Sequence, residues 1–251
     1  MDRPALPPPE SSALFLDFDG TLVEIAGHPE AVVMSGDMVA TLARLIARMD
    51  GAFAIVTGRD IAAIDRFLAP LIVPVAGIHG LTRRDSSRRL HPPPSGTEPF
   101  IAEAWQQLSS LAVREDGLFI ERKTAGIALH YRQRPDLEQE CVASMEAIAD
   151  RYPGIEVKRG KMVVEAKPGH MHKGTAIMDF MAEAPFLGRR PIFAGDDVTD
   201  EDAFRVVNEL NGITIKIGEG PTQARYRLPS TTALHAWLAC LLNASGEQEE
   251  L

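Results

Sequence analysis

Two aspartates close a short apolar run in Leu14-Phe15-Leu16-Asp17-Phe18-Asp19-Gly20-Thr21, and a Gly-Thr turn follows at once. Residues i and i+2 of an extended chain point to the same face, so both carboxylates can approach one point. In an open α/β sheet that point is the crevice beyond the carboxyl ends of the strands, where ligands bind. Like charges held this close raise one pKa or recruit a cation. Either outcome suits catalysis, with one Asp as nucleophile, the other as general acid/base, and a divalent cation across the pair. The reading without chemistry is a strand end followed by a polar turn.

The sequence around this pair alternates strand and helix. Ala13–Phe18 reads as a strand and Ser35–Arg48 as a helix capped by Ser35. Gly51–Val56 is a continuous apolar run, as buried parallel strands show, and is followed by a helix at Arg59–Leu68 and a strand at Ile72–Ala76. The style changes after Gly80. Residues 82–98 are charged and rich in Pro, Gly and Ser, which marks a boundary loop. A helix at Pro99–Val113, a hairpin of Leu118–Glu121 and Gly126–Arg132, a helix at Leu137–Arg151, and a hairpin of Ile155–Lys158 and Lys161–Glu165 across Arg159-Gly160 follow. That order predicts an α+β unit with a four-stranded antiparallel sheet.

After Pro168 the alternation returns, with helices at Lys173–Ala184, Glu201–Asn208 and Ala233–Leu242 and strands at Pro191–Ala194 and Ile213–Ile217. The expected fold class is therefore α/β. Residues 13–81 and 172–243 form a parallel-sheet core, residues 82–171 form an inserted domain, and the Pro-rich segment 1–12 is a flexible tail. Lids inserted in this way close over the active crevice of a core.

Composition excludes several function classes. The 251 residues carry a net charge of −9, whereas phosphate-backbone binding needs a basic field. Arg83-Arg84 and Arg88-Arg89 read as a solvated loop. No apolar run approaches the roughly 20 residues of a membrane span, and residues 1–12 lack the apolar core of a signal peptide. Cys141 and Cys240 fall inside helical patterns and read as small buried residues of a reduced protein. The expectation is a cytoplasmic monomer whose partner is a small molecule, without nucleic acid or membrane.

Four segments taken in order resemble the haloacid-dehalogenase (HAD) superfamily of phosphotransferases: Asp17-Phe18-Asp19-Gly20-Thr21, then Thr57-Gly58-Arg59 after a buried strand, then Lys173, then Gly195-Asp196-Asp197-Val198-Thr199-Asp200. The inserted segment narrows the likeness. Glu121-Arg122-Lys123, His130-Tyr131-Arg132, Arg159-Gly160-Lys161 with Glu165, and Lys167-Pro168 leading to Lys173-Gly174 are similar to trehalose-6-phosphate phosphatases, as is Gly77-Ile78-His79-Gly80 at the core-to-insert junction.

The resemblance implies a Rossmann-like HAD core with an inserted cap of type C2. It also implies an enzyme that hydrolyses trehalose 6-phosphate to trehalose and phosphate through an aspartyl-phosphate, as the final step of trehalose biosynthesis. Asp17 would be the nucleophile, Asp19 the acid/base, Thr57 the phosphate-binding hydroxyl and Lys173 the catalytic cation. Mg²⁺ would lie between Asp17, the Asp19 carbonyl and Asp196, with Asp197 and Asp200 behind it. Arg59, Glu121, Lys123, His130, Arg132, Arg159, Lys161 and Glu165 would bind substrate. A phosphatase for another sugar phosphate, such as sucrose phosphate, and a non-catalytic sugar-phosphate sensor are the competing readings.

Several of these residues have plainer explanations. Thr57 could cap the helix that follows it. Lys173 sits near a helix start, where the macrodipole disfavours a cation, so its position suggests a nearby anion. Asp200 could be a helix cap or a first-turn acid. In the insert, Glu121/Lys123, His130/Arg132 and Lys161/Val163/Glu165 each step by two and so share one sheet face, while Tyr131 alternates into the core of the insert.

Overall fold

A computed structural model describes residues 4, 6–25, 32–91, 97–169 and 171–244. The first part of the chain contains β1 (Ser12–Leu16), α1 (Gly36–Arg48), β2 (Phe53–Val56), α2 (Ile61–Leu68), β3 (Val75–Gly77), β4 (Thr82–Arg84) and β5 (Leu90–His91). The middle contains α3 (Thr97–Arg114), β6 (Phe119–Lys123), β7 (Gly126–His130), α4 (Glu138–Ala149), β8 (Ile155–Gly160) and β9 (Val163–Pro168). The last part contains α5 (Lys173–Met181), β10 (Arg190–Gly195), α6 (Glu201–Glu209), β11 (Ile213–Ile217), β12 (Tyr226–Leu228) and α7 (Thr231–Asn243). The chain divides into two compact units, Met1–Pro92 with His172–Leu251 and Pro93–Met171.

The larger unit is built on an eight-stranded sheet of order β12-β11-β10-β1-β2-β3-β4-β5. Its strands run parallel from β12 to β3, and β4 and β5 add antiparallel. β1, β2 and β11 are buried at every position, which is why their sequences are apolar runs and not alternating ones. Phe15 of β1 packs at 6.0 Å from Phe180 and 5.3 Å from Phe186, ring centre to ring centre. Ser35 caps α1 as its sequence suggests, its hydroxyl accepting from the Met38 N–H.

The smaller unit has a four-stranded antiparallel sheet of order β6-β7-β9-β8, with α3 and α4 packed against it. Its core joins Ile127, Leu129, Val164 and Ala166 of the sheet to Phe100, Leu108 and Met145 of the helices. Tyr131 is buried in this core, as its alternation predicts, and donates its hydroxyl to Glu138 at 3.2 Å.

Several expectations need correction. The expected boundary at residue 82 lies about ten residues early, because β4 and β5 extend the large sheet and the second unit begins at Pro93. Arg83 and Arg84 are not in a solvated loop. Arg84 is buried against Asp65 at 2.6 Å and the Val73 carbonyl, and Arg83 pairs with Glu183 at 2.5 Å while covering Phe180.

The described part of the 1–12 segment is docked. Pro4, Pro7 and Pro9 are buried, Trp237 donates its indole N–H to the Pro4 carbonyl at 3.4 Å, and Glu10 pairs with Arg48 at 2.6 Å. Residues 1–3 and 5 lie outside the described residues. Cys141 is buried but Cys240 is exposed, and neither forms a disulfide. The buried positions of α7 are 231, 234, 237, 238, 241 and 242, and position 240 falls on the other side of that 3.6-residue stripe. Among the described residues no helix is long and apolar enough to cross a membrane.

Phe15→Ala should cost about 3–5 kcal/mol, because a fully buried ring leaves a cavity that its aromatic neighbours cannot close. Calorimetric unfolding of the variant should show the transition of the large unit at clearly lower temperature. An unchanged transition would contradict the packing described.

Candidate active site

β1 and β10 are parallel neighbours, paired as far as Leu16 with Ala194. Asp17 and Asp196 therefore emerge side by side just past the carboxyl ends of two adjacent strands. The Thr21 hydroxyl lies between them, 3.1 Å from Asp196 Oδ1 and 3.5 Å from Asp17 Oδ2. The turn that returns Thr21 needs glycine at position 20. Its φ is +76°, and a Cβ there would fall 2.1 Å from Asp196 Oδ2.

Lys173 opens α5 and is only 2% exposed. Its Nζ donates to Asp17 Oδ1 at 2.7 Å and to Asp200 Oδ1 at 2.6 Å. Two carboxylates at hydrogen-bonding distance offset the unfavourable helix dipole. Asp200 makes no side-chain cap on α6, but it closes a capping box with Asp197 on the short turn Val198–Asp200. Its second oxygen accepts from the backbone N–H groups of Asp196 and Asp197, both at 2.9 Å, and so fixes the bend that carries Asp196. The Asp197 side chain is exposed.

The electrostatics follow from burial. Loss of water pushes the Asp17 carboxyl up to about 8, and the Asp200 charge adds to this against the attraction of Lys173. Burial likewise raises Asp196, against the Thr21 hydrogen bond that favours its charged form. Burial alone would lower the Lys173 pKa, but Asp17 and Asp200 together hold it above the ordinary lysine value.

Asp17, Asp196 and Asp200 each offer a carboxylate oxygen within 4.8 Å of the others. Both oxygens of Asp200 are already taken by Lys173 and the two N–H groups. Asp17 and Asp196 are thus the pair that suits a hard divalent cation, whose charge would relieve two buried carboxylates. A residue not singled out from sequence also belongs here. Lys216 of β11 is 5% exposed, and its ammonium donates to the Asp196 backbone carbonyl. The sign of it was a lysine inside the apolar run Ile213-Thr214-Ile215-Lys216-Ile217.

The second segment lies at the end of β2. Thr57 is buried, and its hydroxyl accepts from the Arg59 N–H at 3.2 Å. Asp60 is the residue that caps α2, accepting from the Ala63 N–H at 2.6 Å, so the capping explanation of Thr57 does not hold. Asp19 does not belong to the cluster of Asp17, Asp196 and Asp200. Its two oxygens accept from Nε and Nη2 of Arg59, each at 2.6 Å, and the guanidinium lies 4.9 Å from the centre of the Phe67 ring. That forked bond raises the Arg59 pKa further above its ordinary value.

In the smaller unit, strand register places Glu121, Ala128, Glu165 and Lys158 in one row across the sheet. Lys123 bonds Glu165 at 2.8 Å, and Glu121 meets His130 Nε2 at 3.0 Å. These residues share one face, as their two-residue steps predict, while Ile120, Ile127, Leu129 and Val164 face the helices. Three expected members are elsewhere. Arg159 has the opposite parity and pairs with Glu146 of α4 at 2.9 Å. Lys161 lies in the turn, because Gly160 pairs with Val163 and Met162 takes φ +61° between them. Arg132 lies in the turn beyond the end of β7.

The family model for trehalose-phosphatases matches residues 15–232, which include all of these positions. The chain belongs to the trehalose-phosphatase family. It is 39% identical to a trehalose-6-phosphate phosphatase of Escherichia coli K12 over 100% of this chain and 95% of that protein. It is 41% identical to a probable trehalose-phosphate phosphatase of Sinorhizobium fredii over 91% of this chain and 87% of that one. The solved trehalose-6-phosphate phosphatase of Aspergillus fumigatus superposes with a TM-score of 0.74 at 25% identity, covering 94% of each chain. A Bacteroides thetaiotaomicron phosphatase of the HAD superfamily shares the fold, with a TM-score of 0.58 at 14% identity over 93% of this chain and 96% of that one.

The raised Asp17 pKa has a stability consequence. Between the ordinary carboxyl value and about 8, the folded protein keeps a proton on Asp17 that the unfolded chain has lost, so this group's contribution to stability falls as pH rises through that window. In chelator, Asp17→Asn should therefore melt above the wild type at pH 8, and the gap should close as pH falls toward 4. Parallel melting curves across that range would contradict the environment assigned to Asp17.

Proposed function

We propose that this chain is an Mg²⁺-dependent phosphatase that cleaves trehalose 6-phosphate to trehalose and phosphate through an aspartyl-phosphate on Asp17, with the smaller unit serving as a sugar-reading cap of type C2. The observation that carries this reading is the Asp17 side chain just past the carboxyl end of β1. Lys173 holds one of its oxygens, Asp196 lies beside it, and Thr57 lies at the end of the adjacent parallel strand.

A phosphate monoester resists attack because its dianion repels nucleophiles, so a site must neutralise it and aim the attacking atom in line. Lys173 fixes the direction of the Asp17 carboxylate. Thr57 and Arg59 receive the phosphoryl oxygens, and for this Arg59 exchanges part of its bond to Asp19 for the substrate. Asp17 attacks phosphorus, the bond to the sugar oxygen breaks, and Asp19 delivers a proton to that oxygen. Asp19 then takes a proton from water as the water attacks the same phosphorus, and Asp17 is released. Mg²⁺ held by Asp17 and Asp196 would supply positive charge to the phosphoryl oxygens. Thr21 and Asp200 keep Asp17 and Asp196 convergent throughout.

The test is phosphate release from a panel of sugar phosphates, with and without Mg²⁺. Trehalose 6-phosphate should be the preferred ester, and chelator should abolish its turnover. Preference for sucrose phosphate would move the substrate, and a complex stable to turnover in Mg²⁺ would favour a sensor. Folded Asp17→Asn should release no phosphate. Asp19→Asn should lose roughly 10²–10⁴-fold, the usual contribution of a general acid/base.

The sugar-reading role of the smaller unit has its own signature. Glu165→Ala and Lys161→Ala should each lower kcat/KM for trehalose 6-phosphate by about 10–100-fold, the value of one charged hydrogen bond. Hydrolysis of p-nitrophenyl phosphate should barely change. Equal losses on both substrates would mean that these side chains hold the unit together and do not read the sugar.

A further inference from the structure

β3 is followed by three successive left-handed residues, Ile78 at φ +52°, His79 at +55° and Gly80 at +97°. Glycine adopts this region freely, but a β-branched residue beside a histidine there is a strained arrangement. Such strain persists only where the surroundings impose it, and it concentrates at functional sites. The surroundings here are the Thr57-Gly58-Arg59 loop. The Ile78 N–H donates to the Arg59 carbonyl at 3.0 Å and the His79 N–H to the Thr57 carbonyl at 2.8 Å, so the turn grips the loop on both sides of Gly58. The His79 ring covers Gly58 itself. A Cβ at that position would fall 2.7 Å from the imidazole Cε1 and 2.8 Å from Nε2.

We infer that His79 is a positioning residue for the phosphate-receiving loop, acting through Gly58. The inference rests on the proposal that Thr57 and Arg59 receive the phosphate. A turn that needed only left-handed backbone would be better served at position 79 by Gly or Asn. The imidazole instead fills the side-chain space of Gly58 and sets the spacing between the Thr57 hydroxyl and the Arg59 N–H that bonds it.

This separates stability from binding. His79→Gly relieves the left-handed strain and frees the loop. Its melting temperature should equal or exceed that of wild type, while KM for trehalose 6-phosphate and the inhibition constant of inorganic phosphate should rise roughly tenfold, within the range that small misplacements cost. Gly58→Ala should be more damaging still, because its methyl meets the ring. Adding His79→Gly to it should restore part of the loss, a non-additivity expected only of side chains in contact.

Unchanged KM and phosphate inhibition in folded His79→Gly would overturn the inference while leaving the functional reading intact. A binding loss that tracks a fall in melting temperature, repeated in His79→Asn, would overturn it in favour of a folding role. Wild-type protein that neither hydrolyses the ester nor binds phosphate would overturn both readings.

Discussion

The Lys173 ammonium, shut away from water between Asp17 and Asp200, is the interaction on which the rest of the site depends. Removing the ammonium would cost about 3–5 kcal/mol, because buried carboxylates are left uncompensated, whereas neutralising Asp17 still leaves Lys173 paired with Asp200. The three residues come from the end of β1, the start of α5 and the bend after β10. They meet because β1 and β10 pair side by side and α5 starts beside them. Asp200 carries the constraint onward by holding the Asp196 and Asp197 N–H groups, and Asp196 then lies over the glycine turn that returns Thr21. One ammonium therefore fixes the spacing of Asp17 and of the carboxylate next to it.

The same arrangement leaves a charge deficit. One buried lysine is shared by Asp17 and Asp200, and Asp196 lies within reach of both carboxylates. Lys216 contributes a second buried cation, but it is aimed at the Asp196 carbonyl and not at the carboxylates. The deficit falls on Asp17 and Asp196, whose pKa values burial raises. A divalent cation is the simplest group that lets both ionise together, and a phosphate dianion arriving without one would meet further repulsion.

The core of this account was legible in the sequence because its determinants are local. A continuous apolar run ending in Asp-x-Asp-Gly-Thr marks both a buried parallel strand and the crevice beyond it, and strand alternation assigned the charged face of the smaller unit. What was hidden depends on partners far apart in sequence. Arg84 could not be recognised as buried without Asp65, nor the docked Pro4 without Trp237, nor Lys216 without the Asp196 carbonyl. The strands β4, β5 and β12 are only two or three residues long and carry no period that a sequence could display. The position of Lys161 and the parity of Arg159 turned on where one hairpin closes, and a left-handed Met162 is not a choice that turn composition signals.

The central claim is that Asp17 carries the phosphoryl group. It is tested most directly by mixing the protein with Mg²⁺ and ³²P-labelled trehalose 6-phosphate, quenching with acid within one turnover, and mapping the label by peptide mass spectrometry. The account predicts protein-bound phosphate on the peptide that contains Asp17, formed no later than free phosphate. Free phosphate appearing with no protein-bound label, or label on a residue other than Asp17, would contradict it.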